Sequence, residues 1–209
     1  LSEHSGKATF FVSSGRPEHA ADTKDWDYGN KSSSLLPPDK TKEVHEWLKF
    51  RDKITISTTT IAEISQAHKL KRIDFIHMDI QGAELMALKG AGKTIASVRA
   101  IWLEVEAESL YANQPLKAEI EQFFADHKFI KVMDTVDAVA GDQFYINSRA
   151  FDDKMIRQAR QAGRKWFLQN RLRQTAQTYL KQPALRIKAK VGKEVKSLRT
   201  PNQKFMKTS

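Results

Sequence analysis

The sequence predicts an α/β fold: a mostly parallel sheet with one antiparallel edge, a terminal hairpin, and a basic helical tail. Three observations carry this. Between residues 54 and 147, short apolar runs alternate with amphipathic stretches until a final hairpin, the pattern of strand and helix in turn. Two of those runs, Ile73–Ile80 and Arg99–Val105, are rich in apolar residues and read as buried strands. The charge also divides the chain. Residues 151–209 hold 16 Lys/Arg against 3 Asp/Glu, a net of +13, whereas residues 1–150 hold 19 against 22, a net of −3.

The elements follow in order. Lys7–Ser13 reads as a strand bounded by Gly6 and Ser14-Gly15. Residues 14–40 are rich in Ser, Gly, Asp, Asn and Pro and read as a long polar loop. Within it Trp26 and Tyr28 are read as loop anchors or as ligand contacts. Lys53–Thr58 alternates Ile54 and Ile56 with polar residues, a half-buried strand. Thr60 and Glu63 form a capping box that opens a helix over Thr60–Leu70. Ile73–Met78 is a buried strand, with Asp79, Gln81 and Glu84 gathered at the turn into a helix near Ala83–Leu88, closed by Gly90. Arg99–Val105 is a second buried strand. Leu116–His127 carries Ile120, Phe123 and Phe124 on one face. Phe129–Met133 and Gln143–Ile146 are strands around Gly141-Asp142.

Composition sets limits. With 209 residues, 40% of them apolar, the chain can bury a core and carry an appendage. We divide it into residues 1–150 and a basic, mainly helical tail over 151–209. No window of 18 uninterrupted apolar residues occurs, so no transmembrane helix is expected. The N-terminus shows no signal-peptide pattern. Cysteine is absent, which rules out disulfides and thiolate chemistry and accords with a reducing, cytoplasmic setting. The chain opens on Leu1 rather than Met, in a turn-like segment, so the natural protein is expected to begin upstream.

The stretch IDFIHMDIQGAELMALKGA at 73–91 resembles the motif of FkbM-type S-adenosylmethionine-dependent methyltransferases. That motif is an apolar strand, then Asp-x-(Glu or Gln)-Gly-x-Glu, then Leu and Leu-Lys-Gly-Ala. In the same register, Thr58–Ile64 resembles the family's Thr-containing segment before that strand, and IWLEVEAESLY at 101–111 its next strand. QFFADHKFIKVMD, DQFYIN and LSEHSGKATFFV are similar to flanking strands, so the resemblance covers roughly residues 1–147. Position 81 is Gln where many members have Glu, His77 stands where Lys is frequent, and Ala62 replaces an Asp.

The resemblance implies the second half of a Rossmann-like class I methyltransferase sheet. It implies S-adenosylmethionine as cofactor, and O-methylation of a sugar, glycan or other small-molecule hydroxyl. Class I methyltransferases hold their cofactor through a Gly-rich turn after the first strand, comparable to dinucleotide sites. No Gly-rich strand–turn–helix occurs here, and Gly90-Ala91-Gly92 follows a helix and reads as its C-cap. The fragment alone is therefore expected to be inactive. Its strand at 73–80 is expected to have one open edge, through which it pairs with a missing half or with another molecule as an oligomer.

On this reading Asp79 orients or deprotonates the methyl acceptor; its alternative is a cap on the following helix. Glu84 contacts acceptor or cofactor, or complements the helix dipole in the first turn. Gln81 hydrogen-bonds the ligand or braces the turn. Gly82 allows close approach or an unusual φ; with Gln81 it is the candidate cofactor contact. Glu104, an acid within apolar surroundings, faces the cleft or pairs with a Lys. Glu106 and Glu108 are read as solvated. Tyr111 reaches the acceptor or packs on the next helix. Asp79 and Glu104 show no third ligand, so no metal is assigned. The six His residues show no metal-ligand spacing, and His77 is an ordinary strand residue.

In the tail, Ile156, Ala159, Trp166, Phe167, Leu172, Ala176 and Tyr179-Leu180 form an imperfect helical stripe ended by Pro183. LRIKAKVGKEVKSLR beyond it alternates apolar and basic residues. This reads as a docked helix followed by a disordered end, or as a surface for an anionic membrane or polyanionic glycan. Nucleic acid is disfavoured, because no recognisable module accompanies the charge. A non-catalytic basic adaptor is the rival to the methyltransferase.

Overall fold

A computed structural model describes residues 1–18, 28–170 and 172. Trp26 and the tail from residue 173, with Ala176, Tyr179, Leu180 and the alternating basic segment, lie outside the described residues. The chain divides into two units, Leu1–Arg164 and Lys165–Ser209. In the second, residues 165–170 and 172 are helical, and Trp166, Leu168 and Leu172 are exposed. Among the described residues no helix is long and apolar enough to cross a membrane.

The first unit runs β1 (Gly6–Ser14), α1 (Thr41–Val44), β2 (Lys49–Thr58), α2 (Ile61–Ala67), β3 (Ile73–Met78) and α3 (Glu84–Lys89). It continues with β4 (Val98–Glu106), α4 (Lys117–Asp126), β5 (Phe129–Asp134), β6 (Ala140–Asn147) and a helix α5 over 153–164. Short 3-10 turns lie at Tyr28–Ser32 and Gly92–Ser97. The helices begin where local chemistry allows. The Thr60 hydroxyl accepts the Glu63 N–H at 3.0 Å, satisfying one orphan donor of α2. The Glu63 carboxylate accepts instead from the hydroxyls of Thr59, at 3.0 Å, and Ser5.

Two sheets form, not one. β1 and β2 make an antiparallel ribbon, with a bulge at Val12/Ser13. The second sheet has the order β3-β4-β6-β5. β3 and β4 are parallel, while β6 runs antiparallel to both β4 and β5. This corrects the predicted sheet in two ways. The strand containing Ile54 and Ile56 belongs to the ribbon. The antiparallel strand lies inside the sheet rather than on its edge, because β6 folds back between β4 and β5. Three of the four strands still point the same way. β3 is one of two edge strands, paired only with β4 among the described residues. It is less buried than expected: Asp74, Phe75 and His77 are exposed and only Met78 is fully buried.

The core lies on one face of this sheet. Ile101, Leu103 and Val105 of β4, with Met78 and Tyr145, pack under Leu85 and Leu88 of α3 and Ile120 and Phe124 of α4. Each such large side chain contributes about 1.5–3 kcal/mol on burial. The Phe124 and Tyr145 rings stack at 3.8 Å. On the other face Ala100, Val132 and Ile146 meet Ile156 of α5, with Ala159 packed alongside. Alternation along β4 puts Trp102, Glu104 and Glu106 on the side away from Leu103 and Val105, and that choice fixes where the acids emerge.

Candidate active site

The acids meet where β3 and β4 end. Asp79 follows β3, and Glu104 and Glu106 close β4. Gln81 stands in the turn between β3 and α3 with φ +56°, and Gly82 follows at φ +91°. A non-glycine residue there costs about 1–3 kcal/mol and persists only where its surroundings hold it. Here the Gln81 carbonyl accepts the Ser34 hydroxyl at 2.7 Å. Its side-chain amide donates to Asp79 Oδ1 at 2.8 Å and to Glu104 Oε2 at 3.0 Å. Its Oε1 accepts from the Tyr111 hydroxyl at 3.1 Å. One amide thus ties carboxylates from two neighbouring strands to a buried phenol.

Glu84 turns back from the first turn of α3, and its Oε1 accepts the Ile80 N–H at 2.9 Å. It is only 2% exposed. Burial raises its pKa, with the Asp79 charge adding to the effect and the Ile80 N–H opposing it. Asp79 does not cap α3, since the N-cap, Ala83, has no side-chain cap; its oxygen is engaged by Gln81 instead. Burial first, then the charges of Asp79 and Glu84, push Glu104 up to about 7. Glu106 is the main correction here. Expected to be solvated, it is 4% exposed and pushed up to about 8 by burial and by the charges of Glu84 and Glu104. Its spacing of two from Glu104 is the signal that places both on one strand face. Glu108 is exposed, as predicted.

A loop covers this end of the sheet. The Tyr28 ring meets Trp47 edge-on at 5.7 Å, so Tyr28 is a loop anchor. Pro38 bridges Tyr111, whose single hydroxyl proton is shared between the Ser32 carbonyl at 2.8 Å and Gln81 Oε1 at 3.1 Å. Tyr111 therefore packs on the loop and against Phe50, not on α4. Burial and the nearby carboxylates raise its pKa.

Gln114 carries no sequence signal, yet it is 6% exposed and central to the site. Its Oε1 accepts the N–H groups of Leu110 at 2.8 Å and Tyr111 at 3.1 Å, which fixes the amide's orientation. Its Nε2 is left buried without a hydrogen-bond acceptor. It lies close enough to Glu106 to favour the anion, but outside bonding geometry. A Cβ on Gly82 would lie 2.9 Å from this nitrogen, so glycine at position 82 is what admits Gln114. An orphaned buried donor costs about 1–3 kcal/mol, and a ligand oxygen would satisfy it. His77 stays outside the network on the exposed side of β3. Among the described residues no group of three or more His, Cys, Asp or Glu is placed to hold a metal ion.

Residues 4–131 match the methyltransferase FkbM domain. Over 122 residues the chain is 30% identical to the 2-O-methyltransferase NoeI of Sinorhizobium fredii (strain NBRC 101917 / NGR234), covering 58% of this chain and 47% of that protein. The chain thus spans about half the length of this curated relative. No solved structure matches. With more than half of its residues, carboxylate turn included, inside the family's domain, the chain belongs to the FkbM methyltransferase family.

Proposed function

We propose that this chain supplies the acceptor side of an S-adenosylmethionine-dependent O-methyltransferase acting on a hydroxyl of a sugar, glycan or other small molecule. The observation that carries the proposal is the Gln81 amide joining Asp79 to Glu104 at the ends of two parallel strands. When bound, S-adenosylmethionine supplies an electrophilic methyl group. Its cationic sulfonium end fits beside the carboxyl groups of Asp79 and Glu104, and the unmet Gln114 Nε2 donor fits a ligand oxygen rather than the cation. The residues here do not fit its adenosine end. Gly82 is filled by Gln114, and no Gly-rich turn follows a strand in the sequence. The adenosine end is assigned to residues outside this stretch.

Glu104, held near neutrality, takes the acceptor proton, because a base works best with a pKa close to the operating pH. Asp79 orients the hydroxyl. Gln81 fixes both carboxylates, and Tyr111 fixes Gln81. Methyl transfer with the full-length protein tests this directly. Glu104→Gln is expected to lower kcat by about 10²- to 10⁴-fold, the usual worth of a general base, and to remove a rise in kcat/KM through about pH 7. Asp79→Asn is expected to lower kcat in the same direction. Absence of S-adenosylmethionine binding in calorimetric titration of the full-length protein would sink the proposal.

A further inference from the structure

At the end of the four-stranded sheet remote from the carboxylates, a groove of about 370 Å³ is lined by Lys71, Arg72, Arg99 and Arg149, with Ser97 beside them. Topology gathers these cations from distant points of the sequence. Lys71 and Arg72 precede β3, Arg99 is the second residue of β4, and Arg149 follows the antiparallel β6, so two strand beginnings and one strand end meet there.

The three guanidinium groups are held in place. Arg99 lies over the Phe151 ring at 4.7 Å and donates one N–H to Asp74 at 3.2 Å. Arg72 Nε pairs with the same carboxylate at 2.9 Å. Arg149 donates from Nη1 to the His127 carbonyl at 2.9 Å. A guanidinium carries five N–H donors, so most of each fork is left for a ligand. Lys71 has no hydrogen bond or ion pair among the described residues. Asp74 is shared by two arginines and offsets one of the four positive charges.

We propose that this groove binds a phosphate or sulfate group carried on a small organic ligand. Anchored guanidinium forks match the oxygen spacing of a tetrahedral oxyanion. The volume falls in the range of small-molecule sites, about 300–1,000 Å³, and leaves room for the alcohol that carries the anion. The site is separate from the carboxylate cluster and does not rest on the methyltransferase reading.

Calorimetry on the full chain at low salt tests it, with inorganic phosphate, sulfate, glucose 6-phosphate and glucose as probes. Saturable binding of the anions and none of glucose is expected. An Arg72→Gln/Arg149→Gln variant should bind them at least about tenfold more weakly, because it loses two charge-assisted donors. A Lys53→Gln/Lys89→Gln variant, with the same charge removed elsewhere, should stay within about twofold, the size of small surface-charge effects. In the unmodified protein the Arg99 Nε–H resonance should shift on addition of phosphate, a readout independent of how the variants fold. Equal weakening in both variants, or no saturable binding, overturns the proposal. So does groove-dependent binding to phosphatidic acid vesicles without binding of the soluble anions, which would make this face a membrane contact.

Discussion

Glu106 is a carboxylic acid kept protonated by where its strand ends. Burial and neighbouring acids hold Glu104 at about 7 and Glu106 at about 8, above an ordinary 4.5. An unfolded chain releases these protons near pH 4.5, whereas the folded one retains them until near neutrality or above. Their stabilisation is therefore fully present below about pH 4.5 and is lost as pH rises through 7 and 8. Each retained proton contributes a slope of at most about 1.4 kcal/mol per pH unit. The urea midpoint is expected to be lower at pH 8.5 than at pH 5.5. Glu106→Gln imitates the protonated acid and cannot ionise, so it should flatten the decline above pH 7. An unchanged decline in that variant would mean that Glu106 titrates in contact with water.

At the scale of elements, α5 shows how closely the second face of the sheet is packed. A Cβ at Gly163 would lie 2.0 Å from the Val132 carbonyl oxygen of β5. Alanine at an exposed helix position gains about 1 kcal/mol over glycine. Here the clash forces the helix away from β5, at a cost of about 1–3 kcal/mol for overpacking. Gly163→Ala is thus expected to destabilise the protein in chemical denaturation; a stabilised variant would show that α5 does not sit against β5. Most elements were legible in the sequence because they depend on local signals: the Thr60 cap, the apolar runs of β3 and β4, and the Ile120–Phe124 face of α4. α1 and the 3-10 turn at Gly92–Ser97 were not, since neither has an apolar period of its own.

At the scale of the molecule, the edge of β3 that is unpaired among the described residues is the exposed consequence of the strand order. Phe75 there is 54% exposed, with its ring set edge-on to Phe144 at 6.3 Å. An unpaired apolar edge is a template for another strand, so concentration-dependent self-association is expected in sedimentation velocity. Phe75→Lys, a charge of the kind that natural edge strands carry, should reduce it. Wild-type protein that remains monomeric at high concentration would show the edge to be protected by other means.

The sequence by itself determined the family motif, the junction of strand and helix at 73–90, and the three acids Asp79, Glu84 and Glu104, because these rest on local periodicity and residue type. Only the tertiary structure decided what each acid touches. The insertion of β6 between β4 and β5, the separate ribbon, the burial of Glu106 and the orphaned amide of Gln114 all depend on contacts between segments distant along the chain. Gln81 illustrates the division. Its place beside Asp79 is visible in sequence, but its bonds to Glu104 and Tyr111 exist only because two strands and a covering loop converge on one turn.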